Sequence, residues 1–342
     1  MDVRTAINLK PYTTMQLGGD ARFMAVATTP EEVRSLYATA EQQHLPVFVL
    51  GGGSNVLVRD EGFDGIVLLN RLQGFEVVGQ TEATTTIRIA AGEVWDEVVA
   101  RTVAMGLSGI EALSAIPGTA GAAPVQNIGA YGQEVADTLV SVEAYDSLTD
   151  QFVTLENEAC QFAYRHSIFR GEQAGRYCIT AITLELYRAL PKPPFYSALE
   201  RYFEERHITQ FTPQVVRDAV MAIRADKLPD PAIKPNAGSF FKNAIIDRWQ
   251  AEELLQKYPA MPHYDMPNDR VKVPTGWLIE QAGMKGQLLY GMRVHDKNAL
   301  VLINEAAESY ANLAAARQEI IQAVYDMFHI QIEQEPLEMT RI

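Results

Sequence analysis

Three consecutive glycines interrupt the chain directly after a short apolar run. Residues 47–50 predict a buried strand, which ends where the glycines begin. Without Cβ atoms, glycines let successive backbone N–H groups turn toward one point, which forms a concave site for a phosphate or pyrophosphate. The loop comprises Gly51, Gly52, Gly53, Ser54 and Asn55. A plain tight turn between two strands is the alternative, and an isolated glycine triplet does not decide between them.

The residues after the loop separate it from the commonest dinucleotide-binding motif. In that motif the glycines open a helix whose N-terminus faces the pyrophosphate. Here residues 56–58 are Val, Leu and Val, which return to extended structure. The sequence therefore predicts a phosphate-binding loop of a different kind.

Composition limits the class of protein. With 342 residues, 47% hydrophobic and 21% charged, the chain predicts a globular protein of two or three domains. It shows neither a signal sequence nor an apolar stretch of membrane-spanning length, so we expect a cytoplasmic location without membrane contact. A formal charge of −14 argues against nucleic-acid binding, because it repels the phosphate backbone. An anionic ligand would need a site with its own positive charge.

Cysteine and histidine usage gives no sign of a disulfide or a metal. Cys160 and Cys178 are the only cysteines, and their spacing is not that of metal ligands. We expect both to be small buried apolar side chains. The six histidines form no H-x-H or H-E-x-x-H pair, so no protein-bound metal is expected.

Local patterns predict alternating helices and strands in three successive units. The clearest helix starts after Thr29, because Pro30 and Glu32 supply a first-turn proline and a capping-box glutamate. Further predicted helices are 95–105, 213–225, 249–257, 275–282 and 309–328. Predicted strands are 23–27, 47–50, 56–58, 66–69, 84–89, 139–145, 152–155, 177–186 and 299–303. Residues 329–335 alternate again, which would return the chain to a sheet.

Residues 112–133 carry no charge at all. They include Pro117, Pro124 and four glycines, so they predict a buried irregular loop rather than a membrane helix. Taken alone, the segment is typical of a buried glycine-rich crossover.

Five segments occur in a fixed order that resembles the UDP-N-acetylenolpyruvoylglucosamine reductase family. They are residues 51–55, 115–132, 164–169, 236–243 and 332–335. The resemblance spans nearly the whole chain. It implies an α+β, vanillyl-alcohol-oxidase-type (PCMH-like) fold in which two subdomains bind FAD and a C-terminal domain covers the substrate. It also implies a role in bacterial peptidoglycan precursor synthesis.

The resemblance implies domain boundaries and a subtype. The FAD-binding subdomains would be 1–70, to which 329–342 return, and 71–212, and the substrate domain would be 226–328. Tyr264 matches the loop of the subtype that folds a tyrosine over the nucleotide. Pro336 departs from the pattern of many relatives and removes a backbone donor, so strand pairing after Glu335 could differ.

The resemblance also assigns cofactor contacts. Small residues and backbone amides of the uncharged loop would pack against the isoalloxazine ring and meet its polar edge. The implied FAD contacts are Gly51, Gly52, Gly53, Ser54, Asn55, Ile116, Pro117, Gly118, Ala122, Gln126, Ile128, Gly129 and Tyr164.

Three residues would be catalytic by resemblance. Arg165 would face the enolpyruvyl group as a fixed cation, although most arginines form only structural ion pairs. Ser239 would donate a proton, although a serine in such a turn is more often a cap. Its alkoxide would need a cation, for which Lys227 is the candidate. Glu335 falls on the face that alternation assigns to solvent, and only the resemblance gives it a catalytic place. An ionised Glu335 would work against Arg165 on an anionic substrate, so we expect it to be protonated or to pair with a bound cation.

The implied reaction uses NADPH as co-substrate and a UDP-sugar as substrate. Hydride would pass from NADPH to flavin N5 and then to the β-carbon of UDP-N-acetylglucosamine enolpyruvate, and Ser239 would protonate the α-carbon. The implied substrate contacts are Tyr131, Tyr196, Lys227, Asn243, Tyr264, Lys285, Arg293 and Asn298. An activating monovalent cation is a further candidate, and we expect a monomer.

Two other interpretations remain at this point. A sugar or alcohol oxidase of the same fold would often carry a flavin-linking histidine beside the glycine loop, whereas the nearest here is His44, outside it. A regulatory flavoprotein without catalysis is the second, and the presence of Ser239, Arg165 and Glu335 argues against it.

Overall fold

The computed structural model describes residues 3–340, so residues 1, 2, 341 and 342 of the expected first domain lie outside it. The N-terminal unit consists of β1 (Val3–Asn8), β2 (Asp20–Ala27), α1 (Pro30–Gln42), β3 (Val47–Leu50), β4 (Val56–Leu57) and β5 (Phe63–Asn70). Its sheet has the order β1-β2-β5-β3, and only β1 is antiparallel. The glycine loop thus leaves the edge strand β3 and enters β4.

Helix α1 begins as its sequence predicts. The Thr29 side chain accepts a hydrogen bond from the Glu32 N–H, and the Glu32 carboxylate accepts one from the Thr29 N–H, which completes the capping box. The helix buries one face against the sheet, made of Val33, Leu36, Tyr37 and Ala40. Both the helix start and this apolar face are confirmed.

The second unit is an antiparallel sheet with one helix packed on it. It consists of β6 (Phe75–Gln80), β7 (Thr84–Ala90), α2 (Trp95–Ala104), β8 (Gly129–Ala130), β9 (Gln133–Glu134), β10 (Leu139–Asp146), β11 (Gln151–Glu156) and β12 (Tyr177–Tyr187). The sheet order is β11-β10-β12-β7-β6. Trp95 is fully buried in this core and donates its indole N–H to the Leu113 carbonyl at 3.0 Å, which ties α2 to the start of the uncharged loop.

The remaining elements form a linking helix pair and a C-terminal unit. They are α3 (Ser197–Glu205), α4 (Pro213–Lys227), β13 (Asn236–Ser239), β14 (Ala244–Asp247), α5 (Arg248–Lys257), β15 (Tyr264–Met266), β16 (Arg270–Val273), α6 (Thr275–Gln281), β17 (Leu288–Leu289), β18 (Met292–Val294), β19 (Val301–Asn304), α7 (Tyr310–Phe328) and β20 (Leu337–Glu338). Sequence patterns missed α3, because this nine-residue helix follows a proline cluster and buries only Leu199 and Phe203.

The C-terminal segment corrects one prediction. Residues 329–335 form no strand, and only Gln334 makes an isolated bridge, to Phe241. Sheet pairing resumes at β20, which runs parallel to β4. The N–H groups on either side of Pro336 are both used, by Glu335 to the Phe240 carbonyl at 2.8 Å and by Leu337 to the Asn55 carbonyl at 3.0 Å. The proline at position 336, which has no N–H, therefore lies between two residues whose N–H groups each donate to a backbone carbonyl.

A polar cluster anchors the end of the chain. The Glu338 carboxylate accepts hydrogen bonds from Arg59 at 2.7 Å and Arg317 at 2.8 Å, and also from the Tyr310 hydroxyl. Burial raises the pKa of Glu338, but the bonds from Tyr310, Arg59 and Arg317 outweigh burial and lower the pKa to about 2. This cluster fixes β20, and so the position of Glu335 three residues earlier.

Cys160 and Cys178 are both buried and unpaired, as predicted. In the described residues, no helix is long and apolar enough to cross a bilayer.

Candidate active site

The glycine loop and the uncharged loop face each other across a cavity of about 230 Å³. The two loops are in direct contact, because a Cβ on Gly51 would lie 2.5 Å from Thr119 Oγ1 and one on Gly52 would lie 3.0 Å from Gly118 Cα. Gly53 has φ +65°, and its Cβ would lie 1.9 Å from the Tyr12 carbonyl oxygen. Close backbone packing thus excludes a side chain at Gly53, whereas a side chain at Gly51 would meet the Thr119 hydroxyl and one at Gly52 would press on the backbone of Gly118.

The loop offers unused hydrogen-bond donors to this cavity. Within residues 3–340, the N–H groups of Gly52, Gly53, Ser54 and Asn55 donate to no protein acceptor. The Ser54 hydroxyl donates to the Pro117 carbonyl at 3.1 Å, which fixes the loop against its neighbour. Free backbone donors on a constrained loop are the chemistry that binds a diphosphate.

Every expected cofactor contact except Tyr164 lines this cavity. A second cavity of about 140 Å³ adjoins it, and Phe48, Val49, Gly51 and Thr119 line both. The second cavity is more aromatic, with Tyr37, Phe169 and Tyr177 in its wall. Two adjoining cavities that share Gly51 at the start of the glycine loop fit an elongated ligand with a diphosphate and two ring systems.

Arg165 and Glu335 meet in the wall of the first cavity. Arg165 Nε lies 3.1 Å from Glu335 Oε1, and Arg165 Nη2 donates to the Gly129 carbonyl at 2.8 Å. Although the ion pair is close, Arg165 Nε is buried without an aligned acceptor among the described residues. Arg165 also has φ +53°, a left-handed conformation that costs a non-glycine residue about 1–3 kcal/mol. The surrounding fold holds this guanidinium in place with donor capacity left for a ligand.

Glu335 is buried, contrary to the solvated face that alternation assigns to it. Only 9% of the residue is exposed, whereas Glu333 is exposed and pairs with Lys242. Burial raises the pKa of Glu335, and the positive charges of Arg165, Arg170 and Lys242 oppose that rise. The Gln126 amide donates to Glu335 Oε1 at 3.2 Å.

Ser239 ends strand β13 and lines the same cavity as Arg165 and Glu335. Gly238 before it has φ +70°, and the register of β13 against β19 shifts between Asn236 and Ser239, as at a β-bulge. Lys227, the expected cation partner of Ser239, lines a different cavity together with Tyr196. Arg224, one turn earlier on α4, shares the cavity with Ser239. Sequence reasoning missed Arg224, although it lies on the same helix three residues before the recognised Lys227.

Aromatic side chains cluster close to Arg165. The Tyr131 and Tyr196 rings meet edge to face at 5.9 Å, and the Tyr164 hydroxyl accepts the Asn243 N–H at 3.3 Å. Lys272 Nζ lies 5.5 Å from the ring centres of both Tyr164 and Tyr264. Lys272 was not expected from the sequence, because nothing in its local pattern separates it from a surface lysine on a strand.

Three expected substrate contacts lie apart from this group. Lys285 pairs with Glu280 at 2.9 Å, Arg293 pairs with Glu305, and Asn298 accepts the Leu300 N–H at 3.1 Å. In the described structure, none of these three residues lines the cavity that contains Ser239.

Two family models match the chain. Residues 21–154 match an FAD binding domain, and residues 230–338 match the C-terminal domain of UDP-N-acetylenolpyruvoylglucosamine reductase. These matches confirm the vanillyl-alcohol-oxidase-type FAD-binding fold and the C-terminal domain that the resemblance implied.

Individual relatives extend the match to the full chain. The UDP-N-acetylenolpyruvoylglucosamine reductase of Neisseria gonorrhoeae is 40% identical over 98% of this chain and 96% of that protein. The enzyme of the same description from Ralstonia nicotianae is 42% identical over 95% of this chain and 96% of that protein. The solved UDP-N-acetylenolpyruvylglucosamine reductase from Thermus caldophilus shares the fold, with a TM-score of 0.69 at 23% identity, over 99% of this chain and 100% of that one. This chain therefore belongs to the UDP-N-acetylenolpyruvoylglucosamine reductase family of FAD-dependent enzymes.

Proposed function

We propose that this chain reduces UDP-N-acetylglucosamine enolpyruvate to UDP-N-acetylmuramate, with NADPH as the electron source. The observation that carries this proposal is that Ser239, Arg165 and Glu335 line one cavity together with the glycine loop. These residues are distant in the sequence, and folding brings an acid, a cation and a carboxyl to one ligand-sized space.

The residues around this cavity fit FAD. Unused N–H groups at Gly52–Asn55 suit its diphosphate, and small residues of the uncharged loop suit a flat ring. FAD bound there would supply the redox chemistry, taking hydride from NADPH and giving hydride to the β-carbon of the enolpyruvyl group. The chain then has to bind the anionic substrate, stabilise developing negative charge and deliver one proton.

We assign charge stabilisation to Arg165 and Glu335. Hydride addition at the β-carbon places negative charge on the α-carbon and its carboxylate, which Arg165 would stabilise as a fixed cation. A buried Glu335 with a raised pKa supports a protonated carboxyl that donates a hydrogen bond to the substrate carboxylate. A bound monovalent cation beside an ionised Glu335 would serve the same purpose.

We assign proton delivery to Ser239. Its hydroxyl would protonate the α-carbon, so that the vinyl ether gains one hydride and one proton, and solvent would then restore the hydroxyl. Serine is a weak acid, and a nearby cation is needed to stabilise the alkoxide. Arg224 shares the cavity with Ser239, so we assign this role to Arg224 in preference to Lys227.

The aromatic cluster supports substrate binding outside the flavin cavity. Tyr131, Tyr196 and Tyr264 would hold the nucleotide and sugar, with Lys227, Lys272 and Asn243 contributing charge and hydrogen bonds. We propose that Tyr264 closes over the nucleotide, which is the property of the expected subtype. The domain assignment belongs to the same proposal, with FAD between 1–70 and 71–212 and the substrate covered by 226–328.

The test is a steady-state assay with product identification. Purified yellow protein should oxidise NADPH only when the enolpyruvyl sugar is present, and should form one UDP-N-acetylmuramate for each NADPH consumed. Acid should release the flavin, since no covalent link is expected. NADPH oxidation that is independent of the sugar, or a reduced product other than the muramate, would refute the proposal.

A further inference from the structure

Arg170 lies behind the wall of the active-site cavity and does not line it. It is half-buried and comes directly after the 164–169 segment in the sequence. Its Nη1 donates to Gln126 Oε1 at 2.6 Å, and its Nη2 donates to the main-chain carbonyl of Glu335 at 2.7 Å. One guanidinium thus joins the uncharged loop to the C-terminal segment at the residue proposed for charge stabilisation.

The contacts of Gln126 determine which way its amide points. Gln126 Oε1 accepts from Arg170 and also from Asn55 Nδ2 at 2.5 Å, so the oxygen is the atom facing two donors. The opposite atom, Nε2, therefore faces Glu335 Oε1 at 3.2 Å and donates to it. Without Arg170, the amide would lose one of the two donors that hold this orientation.

We propose that Arg170 is a positioning residue that aims the Glu335 carboxyl, through the Glu335 carbonyl and through the orientation of the Gln126 amide. This inference rests on the proposed function, in which Glu335 acts on the enolpyruvyl carboxylate. Arg170 does not line the flavin cavity, so its effect on the reaction passes through the two residues it binds, Glu335 and Gln126.

The charged surroundings of Glu335 give the direction of a pH effect. The groups that face it are Arg165 and Arg170 from the 164–170 segment, Lys242 after β13, and the Tyr164 hydroxyl. Burial raises the pKa of Glu335, and Arg170 is one of the cations that oppose this rise. Removing Arg170 should therefore move the titration of Glu335 to higher pH, whichever protonation state is the active one.

The test compares Arg170→Met and Arg170→Lys holoenzymes in the two halves of the reaction. In Arg170→Met, we expect flavin reoxidation by the enolpyruvyl sugar to slow by roughly 10- to 100-fold, as for loss of a group that orients a catalytic residue. Flavin reduction by NADPH should stay within about threefold, because Glu335 has no part in that step. The pH dependence of reoxidation should shift upward, and Arg170→Lys should restore part of the rate because it keeps the charge and one donor.

Arg88→Met is the matched control. Arg88 is also partly buried and binds a carboxylate through two nitrogens, Glu143 at 2.6 and 2.7 Å, but it lies in the sheet of the second unit. We expect it to lose stability without a shift in the pH dependence of reoxidation.

A double-mutant cycle separates positioning from general damage. In a Glu335→Gln background, Arg170→Met should have little further effect on reoxidation, because both changes act through one carboxyl. Equal losses in both half-reactions, an unshifted pH profile or additive losses in the double variant would overturn the inference while leaving the proposed function intact. Native enzyme that is not reoxidised by the enolpyruvyl sugar would instead remove the proposed function and this inference with it.

Discussion

Replacing Gly53 with alanine is expected to weaken FAD binding while leaving the chain folded. Gly53 has φ +65°, and an added Cβ would lie 1.9 Å from the Tyr12 carbonyl oxygen. Contacts below 3.0 Å are essentially never tolerated, so the loop has to move by about 1 Å. The left-handed backbone adds about 1–2 kcal/mol of strain for alanine, and a shifted loop relieves it only by moving its N–H groups.

The loss of affinity follows from the hydrogen bonds to the diphosphate. A hydrogen bond to a charged group contributes about 1.5–3 kcal/mol, so the loss of one raises the Kd for FAD by roughly 10- to 100-fold. The measurement is a fluorescence titration of the flavin-free protein with FAD, and far-ultraviolet circular dichroism reports whether the variant is folded.

Gly106→Ala is the control for backbone strain alone. Gly106 follows α2 with φ +75°, and a Cβ there would meet no atom within 4 Å. It should bear a similar strain, about 1 kcal/mol, and change the Kd by less than about threefold. If folded Gly53→Ala binds FAD as tightly as Gly106→Ala does, the glycine loop does not hold the diphosphate and the steric reasoning is wrong.

Three further outcomes follow from the structure. Glu338→Gln should lower stability at neutral pH by about 1–2 kcal/mol. Because the pKa of Glu338 is lowered to about 2, its contribution to stability is present above the unfolded-state pKa and is lost as pH falls. The thermal unfolding temperatures of the variant and the native protein should therefore converge as the pH approaches 2. A difference in unfolding temperature that is independent of pH would contradict this. Burial raises the pKa of Cys160 to about 11 and of Cys178 to about 12, so a thiol reagent at pH 8 should label neither in folded protein and both in denaturant. Lys272→Met should raise KM for the UDP-sugar several-fold with little change in FAD content, because Lys272 lies between the Tyr164 and Tyr264 rings; an unchanged KM would remove Lys272 from the site.

Features set by local chemistry could be predicted from the sequence. The start of α1 follows from a capping box within four residues, and the glycines that end β3 include Gly53, whose left-handed backbone and close contact with Tyr12 favour glycine. The uncharged segment forms no α-helix, as predicted, because its prolines and glycines exclude one. It is only partly buried and contains a 3-10 helix at Ala120–Gln126, so the prediction of a buried irregular loop is only partly correct. These predictions depend on neighbours in the chain, which the sequence states directly.

Features set by distant contacts could not be predicted in this way. Glu335 has an alternating pattern typical of a solvated edge, yet the C-terminal segment packs it beside Arg165, which is 170 positions earlier in the chain. Arg170 and Arg224 likewise have no local pattern that separates them from surface arginines. Their roles appear only when three separate segments meet at the cavity.

The central claim is that one cavity binds the flavin and supplies the proton through Ser239, and double-mixing stopped-flow tests it most directly. Flavin absorbance is followed as NADPH bleaches the bound FAD and as UDP-N-acetylglucosamine enolpyruvate then restores the colour. We expect Ser239→Ala to be bleached at nearly the native rate and to recover at least about 100-fold more slowly, because only the second step needs the proton. Recovery at the native rate in Ser239→Ala, or a native protein that the enolpyruvyl sugar fails to recolour, would contradict the account.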